Sequence, residues 1–132
     1  MNRQIIFRGK CLDNGEWIYG DLQLGDGDHI PMIGVVRGGH DPDYYQVEEE
    51  TIGQFTGLRD KDSRPIYEGD IVMQRGYSGV KPMVVRFEQG AFIVGWHGGS
   101  STQTRPMLIQ KRCEVIGNAI DHPDLLNGKE ND

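Results

Sequence analysis

Several short clusters in this sequence hold residue types that do chemistry, and each can be tested by its spacing. Asp60-Lys61-Asp62 begins like a calcium loop, which needs further ligands at fixed positions around a Gly and a Glu at position twelve. Arg64 and Pro65 stand where a ligand and the Gly belong, and the twelfth position is Ile71, so the loop fails. Asp26, Asp28 and His29, or His40, Asp41 and Asp43, offer hard oxygens and imidazole suited to a divalent ion. Asp is equally common in turns for purely local reasons, so both clusters read as solvated turns, and no metal or cofactor is expected. Gly25-Asp26-Gly27-Asp28-His29-Ile30 carries two glycines of a dinucleotide fingerprint, but Ile30 takes the third position and no βαβ pattern surrounds it. His97-Gly98-Gly99 is similar to an esterase oxyanion loop, yet no GxSxG nucleophile elbow accompanies it. Cys11 and Cys113 belong to no CxxC pair or Cys/His ligand spacing and read as reduced, buried thiols. No catalytic residues emerge, and the chain does not read as an enzyme.

One set differs in character. Tyr67, Tyr77, Phe87, Phe92 and Trp96 share a segment with Arg64, Arg75, Lys81, Arg86 and Arg105, the composition that stacks bases and holds phosphates on a small barrel. Residues 59–112 hold 9 basic and 5 acidic side chains, whereas residues 1–58 hold 4 and 10, and residues 113–132 hold 1 and 5. The bland alternative is a β core with a solvated basic face. The period of two along Met83 to Phe87 puts Phe87 on the side of Met83 and Val85, so Phe87 is expected in the core. Trp96, beside the Gly-rich loop, is the expected exposed aromatic. Arg59, Arg64, Tyr67, Arg75, Arg86 and Trp96 are therefore the candidate binding residues. The net charge of −6 argues against a protein that simply coats nucleic acid.

The elements that must position these residues are short strands. Gly 19 and Pro 6 in 132 residues are spread along the whole chain, and each interior Gly would cost a helix about 1 kcal/mol. In Glu16 to Leu24, Trp17, Tyr19, Asp21 and Gln23 alternate with Ile18, Gly20, Leu22 and Leu24, which pairs with Arg3 to Gly9 as a hairpin across Asp13-Asn14-Gly15. Ile30 to Val36 and Tyr44 to Val47 read as further strands, as do the runs either side of the polar turn Asp60 to Ser63. Met83 to Glu88 and Ala91 to Trp96, separated by Gln89-Gly90, form the clearest hairpin. Met107 to Gln110 and Cys113 to Ile116 complete the strands, and His122 to Leu126 suggests one helical turn. No apolar run reaches the length of a membrane span and no signal-peptide pattern follows Met1, so a cytoplasmic protein is expected.

The stretch Thr51-Ile52-Gly53-Gln54-Phe55-Thr56-Gly57-Leu58-Arg59-Asp60, continued by Ile66-Tyr67-Glu68-Gly69-Asp70-Ile71-Val72, closely resembles the YopX-like family of phage and prophage proteins. Gly15 to Gly20 and the tail from Glu114 to Asn118, with Asp121 to Leu126, share the resemblance. It implies a mainly β protein with an SH3-like barrel, carried by phages or integrated elements, with no established activity and no catalytic residues to carry across. Physically, Gly53, Gly57 and Gly69 suit positive φ or a close backbone approach, and Asp60 and Asp70 suit bonds to nearby N–H groups, with Glu68 beside them.

The expectation is thus a single compact all-β unit, residues 1–132. Its parts are an amino-terminal β-hairpin extension over about 1–50, a small SH3-like barrel over 51–118 and a C-terminal tail over 119–132 with at most one helical turn. The expected role is a non-catalytic interaction module of a phage or prophage that binds a protein partner or itself, since barrels of this size leave strand edges open to pairing. The alternative is a single-stranded nucleic-acid-binding barrel using segment 59–112.

Overall fold

Alternating side chains interrupted by glycine-rich turns favour strands over helices. The computed structural model describes residues 3–25, 27, 29–74, 81–96, 105–106 and 112–126, with the backbone alone at 96, 105 and 106. Among these residues there are eleven strands and, apart from 3₁₀ turns, no helix. No helix among them is long and apolar enough to cross a membrane. The chain divides into two compact units, Met1–Phe55 and Thr56–Asp132, the division falling within a strand a few residues beyond the boundary near residue 50 read from the sequence.

In the first unit β1 (Phe7–Lys10) and β2 (Trp17–Gln23) form the amino-terminal hairpin. They are joined by β3 (Met32–Val35), β4 (Asp43–Gln46) and the first half of β5 (Gly53–Arg59). The antiparallel order is β4-β3-β2-β1-β5. Beyond β1 the chain curls back, so that Cys11 bridges Val47, Leu12 N–H donates to the Gln46 carbonyl at 2.9 Å, and Glu48 N–H donates to the Lys10 carbonyl at 2.9 Å. This curl wraps the sheet around Cys11, Ile33 and Val47, all buried, each large apolar side chain contributing about 1.5–3 kcal/mol. A 3₁₀ turn at Glu49–Thr51 is pinned by the Thr51 hydroxyl, which donates to the Glu48 carbonyl at 2.6 Å and accepts Lys10 N–H at 2.8 Å.

In the second unit the rest of β5 pairs with β6 (Pro65–Tyr67). A second antiparallel sheet holds β7 (Asp70–Gln74), β8 (Met83–Glu88), β9 (Ala91–Trp96), β10 (Arg105–Pro106) and β11 (Cys113–Asn118), in the order β10-β9-β8-β7-β11. Gln89 and Gly90, at φ +52° and +81°, give the two-residue turn whose twist matches the flanking strands. Ile66, Val72, Met83, Val85, Val94 and Cys113 form the core, with Leu58 and Val115 packed against it. The tail's helical turn is the 3₁₀ turn Pro123–Leu126, while Met107 to Gln110 lies outside the described residues.

Two expectations change. The barrel is not closed: among the described residues no ladder joins β10 to β11, and the sheet is open. The reason lies at β11, whose outer edge is met by a turn instead of a strand, as shown below. Phe87 is not in the core. It shares a face with buried Met83 and Val85, but it stands near the hairpin tip, 51% exposed, edge-on to Phe92 with ring centroids 5.0 Å apart.

Candidate functional site

The polar turn between β5 and β6 is built on one carboxylate. A buried Asp must have its lone pairs filled, and Asp60 fills them with backbone N–H groups. Oδ1 accepts from Asp62 at 2.8 Å and from Arg64 at 2.9 Å, and Oδ2 accepts from Val115 at 3.0 Å, with Arg64 Nε 3.4 Å away. Burial pushes this carboxyl's pKa upward, but the N–H groups of Val115, Arg64 and Asp62 and the Arg64 guanidinium outweigh it and hold the pKa below its ordinary 3.8. Lys61 N–H also donates to the Cys113 carbonyl at 2.8 Å. The turn therefore satisfies the edge of β11 that faces away from β7. Asp70 plays a similar part, its Oδ2 accepting Tyr67 N–H at 2.7 Å, while Gly69 at φ +93° donates to the Val85 carbonyl and accepts from Ala119 N–H. Gly57 is likewise at positive φ, Gly53 is a buried strand residue opposite Arg8, and Glu68 is half-buried.

Among the described residues, the candidate binding residues form no single basic face. Arg59 and Arg64 meet at this turn, Arg59 donating to the Ser63 carbonyl at 3.1 Å. Arg64 pairs with Asp60, with Asp62 at 3.1 Å and with Glu114 at 3.9 Å. Tyr67 is only 6% exposed, so its ring packs inside and cannot serve as a stacking platform. Arg86 lies on the β8–β9 hairpin, 3.4 Å from Glu88. Arg75 lies outside the described residues, and Trp96 is described only as a backbone position of β9 opposite Met83. Among the described residues no group of three or more His, Cys, Asp and Glu could hold a metal ion. Burial, with the charges of Asp60 and Asp70 adding to it, pushes the Cys113 thiol up to about 11, so it is not a ready nucleophile.

A different surface stands out in the first unit. Paired residues of antiparallel strands share a face. The register Lys10↔Trp17, Arg8↔Tyr19 and Asp21↔Gly34↔Tyr44 therefore puts these side chains on one side of the sheet, opposite Ile33 and Leu22. The Arg8 guanidinium lies 4.6 Å from the Trp17 ring centroid and Lys10 Nζ lies 5.6 Å from it. Tyr19 and Tyr44 are exposed, Tyr44 at 52%. The Tyr44 ring lies over Gly34, where a Cβ would stand 2.8 Å from Tyr44 Cε1. On the other face of β4, Arg37 lies 5.8 Å from the Tyr45 ring, donating to the Tyr45 hydroxyl at 3.0 Å and to Asp43 at 3.2 Å. The alternation of Trp17, Tyr19, Asp21 and Gln23 was the one sequence signal for this surface, and it indicated only a strand.

Charge separates the units. Residues 1–55 carry 4 basic and 10 acidic side chains, and residues 56–132 carry 10 of each. Among the described residues, eight acidic side chains of the first unit are exposed, including the run Glu48 to Glu50, whereas Arg8, Lys10 and Arg37 lie against aromatic rings.

Comparison with known proteins places the chain. A family model described as YopX protein matches residues 6–127. Among solved structures, the chain is similar to the crystal structure of protein EF1440 from Enterococcus faecalis. That match has 20% sequence identity and a TM-score of 0.60, over 96% of this chain and 100% of that one, and at such identity it speaks for the fold alone. No curated protein matches the chain.

Proposed function

The chain belongs to the YopX protein family, and from that premise we propose that it is a non-catalytic interaction module, encoded by a phage or prophage and working in the cytoplasm. Its first unit offers a sheet face to a protein partner. The observation that carries this reading is that face itself, with exposed Tyr19 and Tyr44 beside Asp21 in a unit whose net charge is −6. Exposed tyrosines on a rigid strand bring large contact area at small entropic cost, and the surrounding charge steers and selects the partner. A non-catalytic role fits the state of the buried groups, since Asp60 is engaged by three backbone donors and the Cys113 thiol is held protonated.

Gln46 is exposed on the same side of β4 as Tyr44 and gives the test. A photo-crosslinking amino acid at this position, in cells that carry the gene, is expected to trap a protein adduct of different sequence. An adduct of two copies of the chain would redirect the reading to self-association. No adduct, together with binding of a labelled single-stranded oligonucleotide at about 50 mM salt, would overturn it in favour of nucleic acid.

A further inference from the structure

Arg37 shows what this unit does with a guanidinium: it rests against one tyrosine ring and bonds the carboxylate of a neighbouring residue. Arg8 rests on Trp17 in the same manner. Tyr44 and Asp21 offer the same two partners with no arginine between them. They flank Gly34 on adjacent strands, each strand step being about 4.8 Å, and the ring of Tyr44 leans over Gly34 toward Asp21. Gly34 has no side chain, which lets the Tyr44 ring lie over it, and among the described residues Asp21 makes no ion pair.

We propose that Tyr44, Gly34 and Asp21 form a receptor for an arginine side chain of the partner, borne on an arginine-rich segment. The proposal rests on the protein-binding reading above and adds the chemistry of the partner. Charge complementarity favours this occupant over a second copy of the first unit, because a unit with a net charge of −6 repels its own likeness and attracts cations. Arginine is preferred to lysine because its planar guanidinium can stack on the Tyr44 ring and direct a forked pair of N–H groups at Asp21, whereas an ammonium is a hydrated point charge.

The test uses the full chain and two labelled twelve-residue peptides, one alternating Arg with Gly and one alternating Lys with Gly, titrated by fluorescence anisotropy. The arginine peptide is expected to bind about threefold more tightly, the size of an exposed cation–π contact. Tyr44→Ala should abolish that preference, Tyr44→Phe should keep it, and Gly34→Ala, which displaces the ring, should weaken it. Equal binding of the two peptides, or a preference that survives Tyr44→Ala, would overturn the proposal. The photo-crosslink at Gln46 separates this failure from a failure of the underlying reading. A trapped protein whose cross-linked segment lacks arginine sinks the receptor and leaves the interaction module standing, whereas absence of any protein adduct together with binding of the single-stranded oligonucleotide sinks both.

Discussion

Both units leave aspartates in solvent, Asp62, Asp121 and Asp124 among those of the second, but among the described residues only the second also buries them. In the second unit Asp60 and Asp70 are turned inward, where their oxygens hold backbone N–H groups of the turns and of β11. In the first unit Asp13, Asp21, Asp41 and Asp43 stay in solvent, and its buried interior is mostly small and apolar. One residue type thus dresses the surface of both units and builds the scaffold of the second. Burial decides which: a carboxylate out of water must be fully hydrogen-bonded, while an exposed one is free to act on other molecules.

The largest effect expected from this contrast is at Asp60. Asp60→Ala leaves three backbone N–H groups without their acceptor, a loss of about 3–5 kcal/mol seen as an early unfolding transition in urea. An Asp21→Ala protein should unfold with the parent. If both variants unfolded alike, the contrast between inward and outward carboxylates would fail.

Next in size is the core of the first unit. Ile33 is fully buried, and Ile33→Ala should cost about 2–5 kcal/mol by lost transfer energy and a cavity. The two cysteines report each unit separately, since Cys11 is buried in the first and Cys113 in the second. Pulse alkylation in rising urea should label Cys11 of Ile33→Ala before Cys113, and Cys113 of Asp60→Ala before Cys11. Labelling of both thiols at the same urea concentration in both variants would show that the units open together.

A smaller effect follows from acid. The unfolded Asp60 carboxyl has the ordinary pKa of 3.8 and the folded one lies lower, so the native state is favoured above 3.8 and loses that advantage as the pH falls through the folded value. The stability difference between the parent and Asp60→Asn should therefore be constant near neutrality and shrink on going below about pH 4. A difference that grew on acidification would reverse the assignment. The least effect belongs to the exposed Arg37–Asp43 pair, whose side chains are 58% and 61% exposed. Asp43→Asn should leave the unfolding midpoint where it is.

Much of the chain could be read from local pattern. The Gln89-Gly90 hairpin, the amino-terminal hairpin, β3, β4 and the tail turn all rest on turn residues and a period of two, which are properties of a few consecutive residues. Phe87 marks the limit of that logic. Its alternation gave the correct side of β8, but the side of a strand does not say how far along it the core extends. The turn at Asp60 was legible as a turn, whereas the bond from Asp60 to Val115 joins positions 55 residues apart and has no local signal. The face bearing Tyr44 and Asp21 failed for the same reason, because three strands must be put in register before Gly34 is seen to separate them.

That long bond also bears on how the chain is made. Translation delivers residues in order, and the first unit has its complete set of strands once Phe55 has left the ribosome. The second cannot fill Asp60 Oδ2 until Val115 arrives, and β7, though paired with β8, lacks its other neighbour until then. During that interval the nascent polypeptide presents an open strand edge and a half-filled carboxylate. A message cut short before codon 113 should therefore yield a soluble first half joined to an aggregation-prone remainder.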